Sequence, residues 1–176
     1  MAMSFERRSL HTLIPSVVLA VLATAGPAGA DAPAEDRTSD GLEVHVLIEV
    51  ESRVQHEGRA STKLIPADRA VPGDRVLYTL EVRNVGPATR KSPIIVHPVP
   101  EHMRYLDDTA VGPGAEVTYS VDGGHSFDRA TNLRVPLPAG NSRHAVGADY
   151  THIRWQLRNP LEVNSVAFVR FRAVVK

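Results

Sequence analysis

The 176-residue chain contains no cysteine. Small exported domains often lean on disulfides, so a chain without them must draw its stability from packing and ladder hydrogen bonds. The same absence removes thiol catalysis, thiolate metal sites and lipid attachment at an N-terminal cysteine. Net charge is missing as well, because 20 Lys and Arg residues balance 20 Asp and Glu. A balanced chain has no electrostatic pull toward nucleic acid or an anionic membrane surface. There is no Gly-x-Ser-x-Gly elbow, no His-Glu-x-x-His and no phosphate-cradling glycine loop before a helix. The chemistry that those motifs supply therefore has no carrier here, and the expectation is a protein that is not an enzyme.

One apolar run is present, at the N-terminus. Arg7 and Arg8 supply a positive flank, and residues 13–25 are apolar apart from Pro15, Ser16 and Thr24. Pro27 breaks the pattern, and Ala28-Gly29-Ala30 forms a small-x-small cleavage site. A membrane-spanning helix needs about 20 apolar residues, more than this run offers. Residues 1–30 thus read as a cleavable signal peptide, with Ala28 and Ala30 at the cut, and general secretion as the route. The arginine pair fits the twin-arginine pattern poorly, because its flank is Glu6-Arg7-Arg8-Ser9-Leu10-His11. Loss of Arg7, Arg8 and Glu6 leaves 18 basic and 19 acidic residues, a formal charge of −1. The expected product is periplasmic or secreted, with no stable membrane insertion after cleavage.

Residues 31–41 are acidic and rich in Pro, Ala and Ser, which predicts a flexible linker. Strict alternation starts at Leu42, with Leu42, Val44, Val46, Ile48 and Val50 on one face. Glu43, His45, Glu49 and Glu51 take the other, and Leu47 is the exception. This period of two marks a half-buried strand. It recurs at Val76, Tyr78, Leu80 and Val82, opposed by Leu77, Thr79, Glu81 and Arg83. It recurs again at Val117, Tyr119 and Val121, at Ile153, Trp155 and Leu157, and at Ala167, Val169, Phe171, Ala173 and Val175. Residues 94–96 are a short β-branched run. Gly and Pro clusters punctuate the strands, as in Pro72-Gly73-Asp74, Gly112-Pro113-Gly114 and Asp122-Gly123-Gly124. Helical periodicity is absent. The fold class expected is all-β, an antiparallel two-sheet sandwich over 42–176.

Several of these residues form a recognisable series. Pro72-Gly73-Asp74 is followed by Tyr78-Thr79-Leu80-Glu81-Val82-Arg83-Asn84-Val85-Gly86-Pro87. Later come Pro98-Val99-Pro100, Tyr105-Leu106, Ser120-Val121-Asp122-Gly123-Gly124 and Asp149-Tyr150-Thr151-His152-Ile153-Arg154-Trp155. Over 72–176 the chain resembles the bacterial conserved-repeat domain, domain-of-unknown-function family 11. The resemblance implies an immunoglobulin-like sandwich in cell-envelope or secreted proteins, with no enzymatic activity and no settled ligand. Family members often carry tandem copies. Here the pattern occurs once.

The sharpest local motif is Ser120-Val121-Asp122-Gly123-Gly124-His125-Ser126-Phe127. It fits the Ser-x-Asp-x-Gly-x-Ser-aromatic pattern of Asp-box hairpins in sialidase propellers. Asp122 can accept hydrogen bonds from its own turn, Gly124 can take positive φ, and Phe127 can anchor the returning strand. A glycosidase or a calcium loop at Asp122 is the functional alternative, but one box cannot build a propeller. The expectation is a structural turn made by Ser120, Asp122, Gly124 and Phe127. Tyr150 sits where a tyrosine corner would place a hydroxyl that bonds backward, and alternation points Trp155 into the core.

Seven histidines follow the leader, and the tightest ligand-type set is His97, His102 and Met103. Imidazole with thioether suits copper, yet this spacing matches no fixed ligand geometry, and Pro98 and Pro100 suggest an exposed loop. Glu49, Glu51, Asp107 and Asp108 are the carboxylates that a glycoside hydrolase would need to pair. The resulting expectation is a noncatalytic envelope module without cofactor, structural or binding other cell-envelope proteins. The alternative is a periplasmic copper-binding or copper-delivery protein.

Overall fold

The computed structural model describes residues 37–39, 41–56, 59–67 and 70–176. The expected leader, with Ala28 and Ala30, and the first part of the expected linker lie outside them. Eleven strands run in chain order: β1 (Arg37–Ser39), β2 (Leu42–His56), β3 (Arg59–Pro66), β4 (Arg75–Asn84), β5 (Ile94–Pro98) and β6 (Met103–Tyr105). They continue as β7 (Ala115–Ser120), β8 (Arg134–Pro136), β9 (Ser142–His144), β10 (His152–Leu157) and β11 (Val166–Val175). The only helical element among the described residues is a 3-10 turn at Pro138–Gly140.

All pairings between strands are antiparallel. The large sheet has the order β1-β2-β4-β11-β6, with β3 also on β2; the second has the order β5-β10-β7; β8 and β9 form a small hairpin. The all-β class is as expected, and the two larger sheets face each other in a sandwich-like arrangement. Trp155 on β10 meets Phe171 on β11 at 6.1 Å between ring centroids, and His97 on β5 meets Phe171 at 5.6 Å. Val76, Leu80, Val82, Ile153, Trp155, Val169, Phe171 and Ala173 are wholly inaccessible and form the centre of one core. Each belongs to a set picked out by the period of two, because side chains on one face of a strand share one environment.

Two expectations need correction. Arg37–Ser39, inside the segment read as a flexible linker, is strand β1 and pairs with Leu42–Val44 across a two-residue connection. Gly41 allows this at φ +74, and a Cβ there would come within 2.9 Å of the Gly86 backbone. Its carbonyl accepts the Val85 and Gly86 amides, both at 2.9 Å, so the connection is tied to the end of β4. The second correction concerns the outward face of β4, where Leu77 is 5% exposed and Thr79 7%. The register sets Leu77 between Glu49 and Arg172, and Thr79 between Leu47 and Arg170. A central strand flanked by long side chains is covered on both faces.

The motif residues of β4 have local physical roles. Asn84 is fully buried, donates its amide to the carbonyls of Ala88 and Leu161 at 2.9 Å each, and accepts the Gly86 amide at 3.1 Å. One side chain thus fixes the turn after β4 to a segment 77 residues later. Asp74 closes the turn before β4 by accepting the Val71 amide at 2.9 Å.

Candidate functional site

The Ser120–Phe127 segment forms the turn that the motif predicts. Ser120 ends β7, is fully buried and accepts the amides of Asp122 (3.2 Å) and Gly124 (2.9 Å) on its hydroxyl. That hydroxyl donates to Asp122 Oδ1 at 2.6 Å. The same oxygen accepts the amides of His125 (3.1 Å) and Ser126 (3.0 Å), and Oδ2 accepts the Ser126 hydroxyl at 2.5 Å. Gly123 and Gly124 take φ of +77 and +87, which only glycine adopts without strain. Donors from Ser120 first, then Ser126, hold the Asp122 carboxyl well below the usual carboxylate range.

Two neighbours lock this turn onto the sheet. The Thr151 hydroxyl accepts the Gly123 amide at 3.0 Å and donates to the Ser120 carbonyl at 3.2 Å. Beyond the turn, Tyr119 and Asp128 exchange backbone bonds at 2.8 and 3.1 Å. Phe127 is half-buried, with the Arg154 guanidinium 4.7 Å above its ring centre. The ring contact is thus with a cation from β10 rather than with the apolar core. His125 donates from Nδ1 to the Asp122 carbonyl at 2.5 Å. Burial pushes the His152 imidazole down; Asp122 opposes that shift and His125 adds to it.

The other candidates are dispersed. His97 packs its ring against Tyr78 and Phe171 and donates from Nδ1 to the Pro98 carbonyl at 2.6 Å. His102 is exposed in the turn before β6, while Met103 is buried in the core. Among the described residues, no group of three or more His, Asp or Glu side chains is placed to hold a metal ion. Glu51, on β2, accepts the Arg172 guanidinium at 2.6 Å. Asp107 and Asp108 follow β6, and both β4 and β11 lie between β6 and β2 in the sheet. The four carboxylates named from sequence are thus not gathered.

The sequence reading missed a cluster of three tyrosines. Tyr105 and Tyr119 share a hydroxyl–hydroxyl bond of 3.0 Å, and Tyr119 stacks on Tyr150 at 4.5 Å. The Tyr105 hydroxyl also accepts the amides of Thr109 (3.2 Å) and Ala110 (2.9 Å). With both lone pairs taken, its proton goes to Tyr119. The hydroxyl-to-backbone bonding expected of Tyr150 is thus found at Tyr105. Burial first, and Tyr105 second, raise the Tyr119 phenol; burial also raises Tyr150 and pushes Tyr78 up to about 12. Asp149, beside Tyr150, takes a two-pronged bond from Arg143 at 2.6 and 2.7 Å, which fastens β9 to this cluster. Tyr105, Tyr119 and Tyr150 are far apart in sequence, and only their inward positions hinted at a meeting.

No protein-family model matches the chain, and no curated protein or solved structure matches it either.

Proposed function

We propose that the protein is a noncatalytic, exported cell-envelope module that acts by contact with other envelope proteins. In this reading the sandwich is immunoglobulin-like and belongs with the conserved-repeat domains that residues 72–176 resemble. The observation that carries it is the state of Asp122. The most motif-like acid of the chain accepts four hydrogen bonds from its own turn, so the role that fits it is rigidity. Asn84 and Asp74, two residues of the resemblance, also support the reading, since each closes a turn.

Intact-mass measurement on exported material tests the export half, with a mature N-terminus expected near Asp31. Calorimetric titration of that material with copper, zinc and calcium tests the other half. The expected result is no stoichiometric binding. Submicromolar copper binding abolished by His97→Ala or His102→Ala would overturn the reading and favour metal delivery.

A further inference from the structure

The free edge of β11 is only partly paired. Its even-numbered residues turn their backbone groups away from β4. The Arg172 carbonyl takes the Leu106 amide at 2.9 Å, and Arg170 exchanges bonds with Val111 at 2.8 and 2.9 Å. By the same alternation, Phe168 and Val166 aim their amides and carbonyls at this edge. The chain does not follow them there, because Gly112 turns inward between the sheets. A Cβ on Gly112 would lie 2.8 Å from Val169 and 3.5 Å from Trp155. What remains is a groove of about 430 Å³ lined by Val111, Gly112, Pro113, Phe168 and Arg170. Val111 is 53% exposed and Phe168 43%, so the lining is apolar and open. Arg170 is exposed, and no described carboxylate pairs with it. Glu81, opposite Phe168 on β4, is engaged by Arg83 at 3.1 Å.

We propose that this groove takes an extended segment of a partner protein in which acidic and apolar side chains alternate. The segment continues the line that Val111 begins, pairs with the backbone of Val166 and Phe168, and sets a carboxylate against Arg170. Main-chain bonds at a sheet edge supply affinity, and neighbouring side chains select the sequence. Charge chooses the occupant: the groove holds one cation that no carboxylate among the described residues pairs, and complementarity of sign steers encounter and fixes register. This inference deepens the protein-binding reading and rests on it.

The test uses the mature chain and two fluorescent octapeptides, one alternating valine with glutamate and the other valine with lysine. The acidic peptide is expected to bind at least about tenfold more tightly. It should also slow hydrogen exchange at the Val166 and Phe168 amides. Arg170→Glu should reverse the preference, and Phe168→Thr should weaken both peptides, with melting temperatures unchanged because both side chains are exposed. Equal binding of the two peptides, or unaltered exchange at those amides, would overturn the proposal. Self-association lost in Phe168→Thr would also overturn it, by making a second copy the occupant. Cross-links to an envelope protein that persist in the Arg170→Glu, Phe168→Thr double variant would sink the groove and leave the protein-binding reading standing.

Discussion

Asn84 and Asp122 are both short polar side chains that organise a turn, and they do so in opposite surroundings. Asn84 is fully buried and reaches Leu161, far along the chain. Asp122 is exposed, and its carboxylate bonds only with residues at most four positions away. The number of bonds is similar, but their consequences are not. A buried carbonyl that loses its donor has no water to turn to, whereas an exposed turn amide does. Asn84 therefore belongs to the stability of the whole sandwich, and Asp122 to the shape of one hairpin.

The largest effect should come from Asn84→Ala. It removes three hydrogen bonds, to the Ala88 and Leu161 carbonyls and from the Gly86 amide, and leaves the Leu161 carbonyl with the Arg90 amide alone, at a cost of about 3 kcal/mol at roughly 1 kcal/mol per bond. Denaturant unfolding measures it. Asn84→Asp is expected to do no better, because a carboxylate would face two carbonyls in place of the donating amide. A loss under about 1 kcal/mol would mean that water or the Arg90 amide makes good the lost bonds and that burial does not separate the two turns.

Tyr105→Phe sharpens the comparison from between its extremes. The ring stays in the core, but the Thr109 and Ala110 amides lose their acceptor and Tyr119 its donor. These amides are only partly buried, so the expected cost is about 1–2 kcal/mol. Tyr119→Phe removes the partner and leaves both amides satisfied, so it should cost less. If the two variants cost the same, the hydroxyl pair rather than the amides would be what matters.

The same contrast explains how much was legible in the sequence. Strands β4, β10 and β11 were readable because the middle of each packs one face into the core and the period of two survives. Strand β3 was not, because residues 61–66 are all exposed and burial imposes no pattern on them. Strand β6 has three residues, too few to show a period. Thr79 and Leu77 misled because their cover comes from neighbouring strands. At the site, Asp122 was readable because its partners are local, so spacing alone encodes them. Asn84 and the tyrosines bond across the fold, where spacing carries no information.

The smallest effect is expected from Asp122→Asn, and its pH dependence is the informative part. The folded-state carboxyl ionises below the usual range because the Ser120 and Ser126 hydroxyls and nearby amides bond to its charged form. A group whose folded pKa is depressed contributes stability above its unfolded value, about 4 for aspartate, and loses it as pH falls toward the folded value. An asparagine keeps the shape and forfeits that contribution. The gap in melting temperature between the native chain and Asp122→Asn should therefore be widest near about pH 5 and close steadily below about pH 4. Asp149, Asp128 and Glu116 also ionise below their ordinary range, but all three are present in both proteins and largely cancel in the difference. His152, whose imidazole burial pushes down, weakens the fold as pH falls below the ordinary histidine value. It faces Asp122, so Asp122→Asn should deepen that step by removing the charge that favours the imidazolium. A gap that stays constant from pH 7 to about 3 would show that the Asp122 charge contributes nothing beyond the turn's geometry.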